Sequence, residues 1–207
     1  AAIAVNSLEI NGAQGTGLLQ VVDGGLAGRL DLRGSVVGPA DLAVVDGVQE
    51  LNMNFRIRNA SFAGPTPLDI RRGRLDAKIR FVPDALSINA DVRGSGIQVG
   101  QFRINRVNGT AEMTAGTGTV TARIVGQQGR AFNLSFNADV SPDTIAVALS
   151  GSLDRSPISL DRKARFTRID GGWELAPVAI RYRGGQGLVR EASLGGVIDV
   201  KLSLRGM

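Results

Sequence analysis

The chain contains no cysteine and no histidine. Disulfides, thiolate nucleophiles and zinc sites built from either residue are therefore excluded. A Ser-His-Asp triad is excluded as well, because there is no imidazole to act as base. Aromatics make up 4% of the 207 residues, with a single Trp and a single Tyr. A packed β-sandwich core takes much of its volume from such rings, so any interior must be filled by Leu, Val, Ile and Ala with a minority of Phe. One Trp and one Tyr also cannot supply the two aromatic girdles of an outer-membrane barrel. Lysine occurs only at Lys78, Lys163 and Lys201, so the net charge of +5 is carried by arginine. No apolar run approaches the roughly 18 residues of a membrane-spanning helix. The chain opens on Ala1-Ala2-Ile3-Ala4-Val5, without an initiator Met or a basic leader, and reads as a piece of a longer protein or a mature form after cleavage.

What is abundant is strict alternation. Met53, Phe55 and Ile57 alternate with Asn52, Asn54, Arg56 and Arg58. Leu75, Ala77, Ile79 and Phe81 repeat the pattern against Asp76, Lys78 and Arg80. Leu86, Ile88, Ala90 and Val92 follow, then Ile124, then Phe132, Leu134, Phe136 and Ala138, then Ile145, Val147 and Leu149, and finally Val200, Leu202 and Leu204. Successive strand side chains point to opposite faces, so each run is a strand with one apolar and one polar face. Glycine is 28 of 207, about twice its average share, and sits mostly between the apolar runs.

The spacing predicts hairpin turns at Asn11-Gly12, Asp23-Gly24, Asp46-Gly47, Asn108-Gly109 and Asp170-Gly171. Pro83-Asp84 and Pro142-Asp143 also separate strands. Leu86 and Ile88 follow the first pair as Ile145 and Val147 follow the second, a faint internal repeat. Residues 39–51 break the alternation and read equally as a short helix or an irregular strand. The expectation is roughly a dozen antiparallel strands over residues 1–207, without a domain boundary.

Arg71-Arg72-Gly73-Arg74 is the densest basic cluster. It reads as a solvated hairpin turn, or more sharply as a landing site for anionic head groups. It lacks the interleaved aromatics that nucleic acid needs, so no nucleic-acid partner is expected. Arg162, Lys163, Arg165 and Arg168 read as a second, outer basic stretch. Gly24-Gly25-Leu26-Ala27-Gly28 and Gly184-Gly185-Gln186-Gly187 have neither the spacing nor the following helix of a phosphate loop. Trp173 reads as a core anchor beside a hairpin. No carboxylate pair stands out as acid and base, so no catalytic residue, metal or cofactor is expected.

Two segments carry a family resemblance. Ala164-Arg165-Phe166-Thr167-Arg168-Ile169-Asp170-Gly171-Gly172-Trp173-Glu174-Leu175-Ala176-Pro177, followed by Val178, Ile180 and the Gly184-Gly185 turn, resembles a recurrent strand-turn-strand unit of the TamB and AsmA-like superfamily, which includes the translocation and assembly module of Gram-negative bacteria. Leu30-Asp31-Leu32-Arg33-Gly34-Ser35 followed by Gly38-Pro39 is similar to the repeated strand endings of that superfamily. The resemblance implies an all-β fold: a long antiparallel meander curled into a β-taco with an apolar groove. It also implies a protein anchored in the inner membrane that crosses the periplasm. Such a protein assists phospholipid transport and outer-membrane biogenesis with an Omp85-class, TamA-like partner. Neither the anchor nor the docking end is expected within this chain. Phospholipid acyl chains would lie against an apolar face lined by Met53, Phe55, Ile57, Leu75, Ile79, Phe81, Leu86, Ile88, Val92, Ile124, Phe132, Leu134, Phe136, Ile145, Val147 and Leu149. The alternative is a β-sandwich serving as a structural or adhesive passenger domain of a secreted protein, with the same stripe sealed in a dry core.

Overall fold

The computed structural model describes residues 2–205 apart from Asn11, Pro65, Asp84, Gly171, Gly184 and 195–198. It describes the side chains of residues 2–183 apart from those and Ile10. The strands are β1 (Ala2–Ile10), β2 (Ala13–Val22), β3 (Gly25–Gly34), β4 (Val36–Val45), β5 (Val48–Phe62), β6 (Leu68–Val82), β7 (Ala85–Val99), β8 (Phe102–Thr114), β9 (Thr117–Gln128), β10 (Arg130–Ser141), β11 (Thr144–Leu153), β12 (Ser156–Leu160), β13 (Ala164–Ile169), β14 (Gly172–Leu175), β15 (Val178–Tyr182), β16 (Gly185–Leu194) and β17 (Asp199–Arg205). Among the described residues there is no helix.

All seventeen segments belong to one antiparallel sheet. From β1 to β12 each strand pairs with the next in the chain. β12 and β13 then lie end to end along β11. β14 and β15 lie end to end along β16. Two ribs are thus broken in the middle, and the sheet has 15 ribs, more than the dozen expected from turn spacing. β1 and β17 do not pair with each other, so the meander does not close into a barrel. It is consistent with a curled sheet. Among the described residues the two stacked layers of the alternative β-sandwich are absent: the substantial contacts run between sheet neighbours and next neighbours.

Local chemistry explains where the turns fall. Val45 pairs with Val48, and the intervening Asp46 and Gly47 have φ of 53° and 74°. That is the mirror-image turn whose twist matches a hairpin, as expected from an Asp-Gly pair. The same geometry occurs at Ala115-Gly116 and, without glycine, at Asp154-Arg155. Pro142-Asp143 joins Ser141 to Thr144. Asn11, Asp84 and Gly171, three of the expected turn residues, lie outside the described residues, as does Gly184. The strands they flank nevertheless pair across those positions.

Three expectations require correction. Asn108-Gly109 is not a turn but lies within β8, with Asn108 opposite Arg93 and Arg123. A Cβ on Gly109 would stand 3.2 Å from the Thr121 carbonyl, so this glycine serves close strand approach. Arg71-Arg72-Gly73-Arg74 also lies inside a strand, β6, where a Cβ on Gly73 would meet the Ile57 Cβ at 3.2 Å. Residues 39–51 hold no helix, because they finish β4, turn at Asp46-Gly47 and open β5. Their pattern breaks because the turn falls inside the window and because Ala43 and Val45 are apolar on the face opposite Ala40, Leu42 and Val44. Gly38 has φ of 139°, and a Cβ there would sit 1.9 Å from the Asn54 carbonyl. Only glycine fits so close an approach.

A kink aligned across four strands was not legible in the alternation. Pairing passes from Arg58↔Arg72 to Ala60↔Ile70, from Arg72↔Ser95 to Ile70↔Ile97, and from Ser95↔Arg106 to Ile97↔Ile104. Asn59, Arg71, Gly96 and Asn105 are left over, one per strand. Asn59 and Gly96 take positive φ of 47° and 62°. β9 absorbs the extra residue through a register shift opposite Ile104 and Arg106. Past this line the alternation slips by one in β5–β8, so Ile57 and Ala60 share a face although three residues apart. The same holds for Ile104 and Val107, which face Gly126 and Ile124.

Candidate apolar face

The register brings the alternating residues into rows that cross the sheet perpendicular to the strands. One row runs Phe55, Leu75, Val92, Gly109, Ala122, Phe136 and Leu149. A second runs Met53, Ala77, Ala90, Ala111, Val120, Ala138, Val147 and Ala164. A third runs Leu51, Ile79, Ile88, Met113, Gly118, Val140, Ile145 and Phe166, and continues to Leu175. A fourth runs Ile57, Gly73, Gly94, Val107, Ile124, Leu134, Gly151, Ile158 and Tyr182. Phe81 pairs with Leu86 at one end of the strands, and Phe132 lies at the other. Every lining residue expected from the sequence therefore lies on one face. At about 4.8 Å per rib, the thirteen ribs whose side chains are described carry that face about 58 Å along the sheet.

This face is largely uncovered. None of the expected lining residues is buried. Met53, Phe55, Ile57, Leu75, Ile79, Ile88, Ile124, Phe132, Leu134, Phe136, Ile145, Val147 and Leu149 are half-buried, while Val92, Phe81 and Leu86 remain 40%, 46% and 37% exposed. The described core is small: Ala13, Leu19, Ala40, Ala60, Ile97, Ala164, Val178 and Ala179. The accessible surface is 12979 Å² for a chain of 21.7 kDa. A compact monomer of that mass exposes about 9,200 Å². The excess is what a single sheet must show when nothing is stacked on it.

Strict alternation missed several members of the face, notably Ile70, Ile97 and Ile104 beyond the kink. A signal was present: apolar or glycine residues recur three apart in successive strands, as at 57 and 60, 70 and 73, 94 and 97, and 104 and 107. Phe102 and Phe132 meet edge to face at the rim there, with centroids 6.5 Å apart and planes at 70°. Trp173 is half-buried in β14 opposite Arg168, beside the hairpin turn rather than in a core. The side chains of Val200, Leu202 and Leu204 lie outside those described.

The opposite face is polar and threaded by short ion pairs. Glu50 is buried at 7% exposure beneath Lys78 (3.0 Å) and Arg80 (3.7 Å). The Arg74 Nε donates to Asp76 Oδ2 at 2.6 Å, and Asn54 donates to the same carboxylate. The hydrogen bond from Arg74 holds the Asp76 carboxyl below its ordinary value, and that of Arg74 is raised in return. Arg93 Nε donates to Asp91 Oδ1 at 3.0 Å, and Lys163 pairs with Asp139. Arg165 and Arg168 are exposed on β13, and Arg162 and Lys163 are exposed in the gap before it. Among the described residues no three acidic side chains stand close enough to hold a metal ion.

Comparison with known proteins gave no match: no family model fits the chain, and neither a curated protein nor a solved structure does.

Proposed function

We propose that the apolar face shelters hydrocarbon tails and that the chain is a segment of a lipid conduit. The observation that carries this reading is an apolar face about 58 Å long, with no second layer over it among the described residues. Each CH₂ moved from water onto such a surface recovers roughly 0.8 kcal/mol. One leaflet of a bilayer has tails only about 15 Å deep, half of its hydrocarbon core, so the face exceeds several acyl chains end to end. Rows of Leu, Ile, Val, Ala and Phe repeat rib after rib, which makes neighbouring positions nearly equal in energy. A tail can then slide without falling into a deep trap. Head groups would project from the open side toward solvent. No chemical step is assigned to the chain.

The wording of 164–177 and 30–39 supports placing this conduit with TamB and AsmA-like proteins. On that reading it works in the periplasm of a Gram-negative cell, as part of a protein anchored in the inner membrane. It would assist phospholipid transport, outer-membrane biogenesis and protein assembly with an Omp85-class, TamA-like partner.

Photo-crosslinkers test the idea directly. Placed at Phe55 and Phe136 they should capture phospholipid, and placed at Arg56 and Asn137 they should not. Equal capture at both sets would sink the reading, as would an organic extract of the purified protein that contains no lipid. In a longer protein competent for transport, Ile88→Arg or Leu134→Arg should obstruct it while the protein still folds.

A further inference from the structure

The polar face carries a second feature that the apolar reading does not use. Arg56, Arg74 and Arg93 stand directly opposite one another on β5, β6 and β7, and Arg58 stands opposite Arg72. Like charges paired across strands are destabilising, so such a run calls for an anion to offset it. Next to the kink lies a shallow, open cleft of about 360 Å³ lined by Arg72, Arg74, Arg93, Arg106, Ser95 and Asn108. Gly73 and Gly94, paired with each other, contribute only backbone to it, because a Cβ on either would point to the apolar face.

The four arginines are not equivalent. Arg74 and Arg93 each give Nε and Nη2 to an aspartate two residues away on their own strand, Asp76 and Asp91. Those bonds hold each guanidinium in place and leave its Nη1 donors unengaged. Arg72 and Arg106 are exposed and, among the described residues, have no carboxylate within ion-pairing distance. The four cationic lining residues together with the two aspartates leave a surplus of two positive charges.

We infer that this cleft binds a phosphate group carried on a small molecule or on a lipid head group. A phosphate monoester offers three strong acceptor oxygens and up to two negative charges. It can thus satisfy more guanidinium donors at once than a carboxylate, and arginine matches it in bidentate geometry. The cleft is wider than one phosphate, which leaves room for the group that bears it. No aromatic side chain lines it, so it lacks the rings on which successive bases stack. This inference does not depend on what the apolar face holds.

Titration calorimetry with inorganic pyrophosphate, and sedimentation with vesicles of phosphatidic acid in phosphatidylcholine, test it on the 207-residue chain. Binding of either probe should weaken about tenfold or more in R72A/R106A and stay unchanged in R165A/R168A, which removes equal charge elsewhere. R72K/R106K keeps the charge and should recover only part of the affinity. A thermal melt checks that each variant is folded. Pyrophosphate binding without vesicle binding identifies a soluble phosphorylated ligand, and vesicle binding alone identifies a lipid head group. Failure of both probes overturns the inference, as does equal loss in R72A/R106A and R165A/R168A.

Discussion

Two parts of one sheet solve the same packing problem differently. Across β5–β11 the ribs are unbroken and long, up to 15 residues, and their apolar rows stay half-open to solvent. Across β12–β15 the ribs are broken, and there the apolar residues close on one another. Ala164 and Val178 are buried at 7% and 3%, with Val147, Leu160, Phe166, Leu175 and Ile180 around them. The break is chemical. Residues 160–163 stand opposite only Ala148 and Leu149, so extra chain must bulge out. Asp161 fixes that bulge to β15: its backbone N–H donates to the Ala179 carbonyl, and its Oδ1 accepts from the Ala179 N–H, both at 2.9 Å. Arg162 adds a bond to the Pro177 carbonyl, beside a residue that has no N–H of its own. A sheet kept regular leaves its apolar face open, whereas one interrupted by extra residues brings neighbouring apolar side chains together into a small local core.

The sharpest way to break this comparison is Val178→Asp, which puts a charge into the closed cluster. It should cost more than about 3 kcal/mol and abolish a cooperative melt. An unchanged melting temperature would mean that the broken ribs are as open as the rest. Phe136→Ala probes the open rows. A buried Phe→Ala change costs about 3–5 kcal/mol, but Phe136 is half-exposed and has no layer above it, so chemical denaturation should show about 1.5 kcal/mol. A loss of the full buried magnitude would show that the face is covered in solution.

Asp161→Ala removes one stapling bond and should cost about 1 kcal/mol. Hydrogen exchange should speed up at Ala179 while β5–β8 stay protected. The smallest effect concerns the polar side of the open rows. Asp76 has its carboxyl held below the ordinary value of 3.8, chiefly by the Arg74 hydrogen bond. Its contribution is present above that value and lost as pH falls through the depressed one. Asp76→Asn should flatten the acid limb of a stability profile below about pH 4 and lower stability slightly near neutrality without changing the slope there. An unaltered acid limb would remove the pairing from the account.

Much of the fold is written in the alternation. The lining residues from Met53 to Leu149 all lie on one side because each strand's neighbours kept their hairpin registers. The dipeptides failed where glycine had another task. Asn108-Gly109 carries the letters of a turn, but Gly109 is there so that β8 and β9 can approach closely. Gly73 beside three arginines likewise marks room for Ile57 rather than a bend. The basic cleft was legible only as a cluster, since Arg93 and Arg106 join Arg72 and Arg74 through pairing between strands.

The sequence by itself determined that this chain makes two-faced strands with an apolar side of modest residues. The period of two is a property of each strand's own backbone and needs no partner. Tertiary structure alone decided that the kink aligns across four strands, that two ribs break, and that the apolar side goes uncovered. Those outcomes depend on which residues meet across strands and on whether a second layer exists, and no local pattern encodes either one.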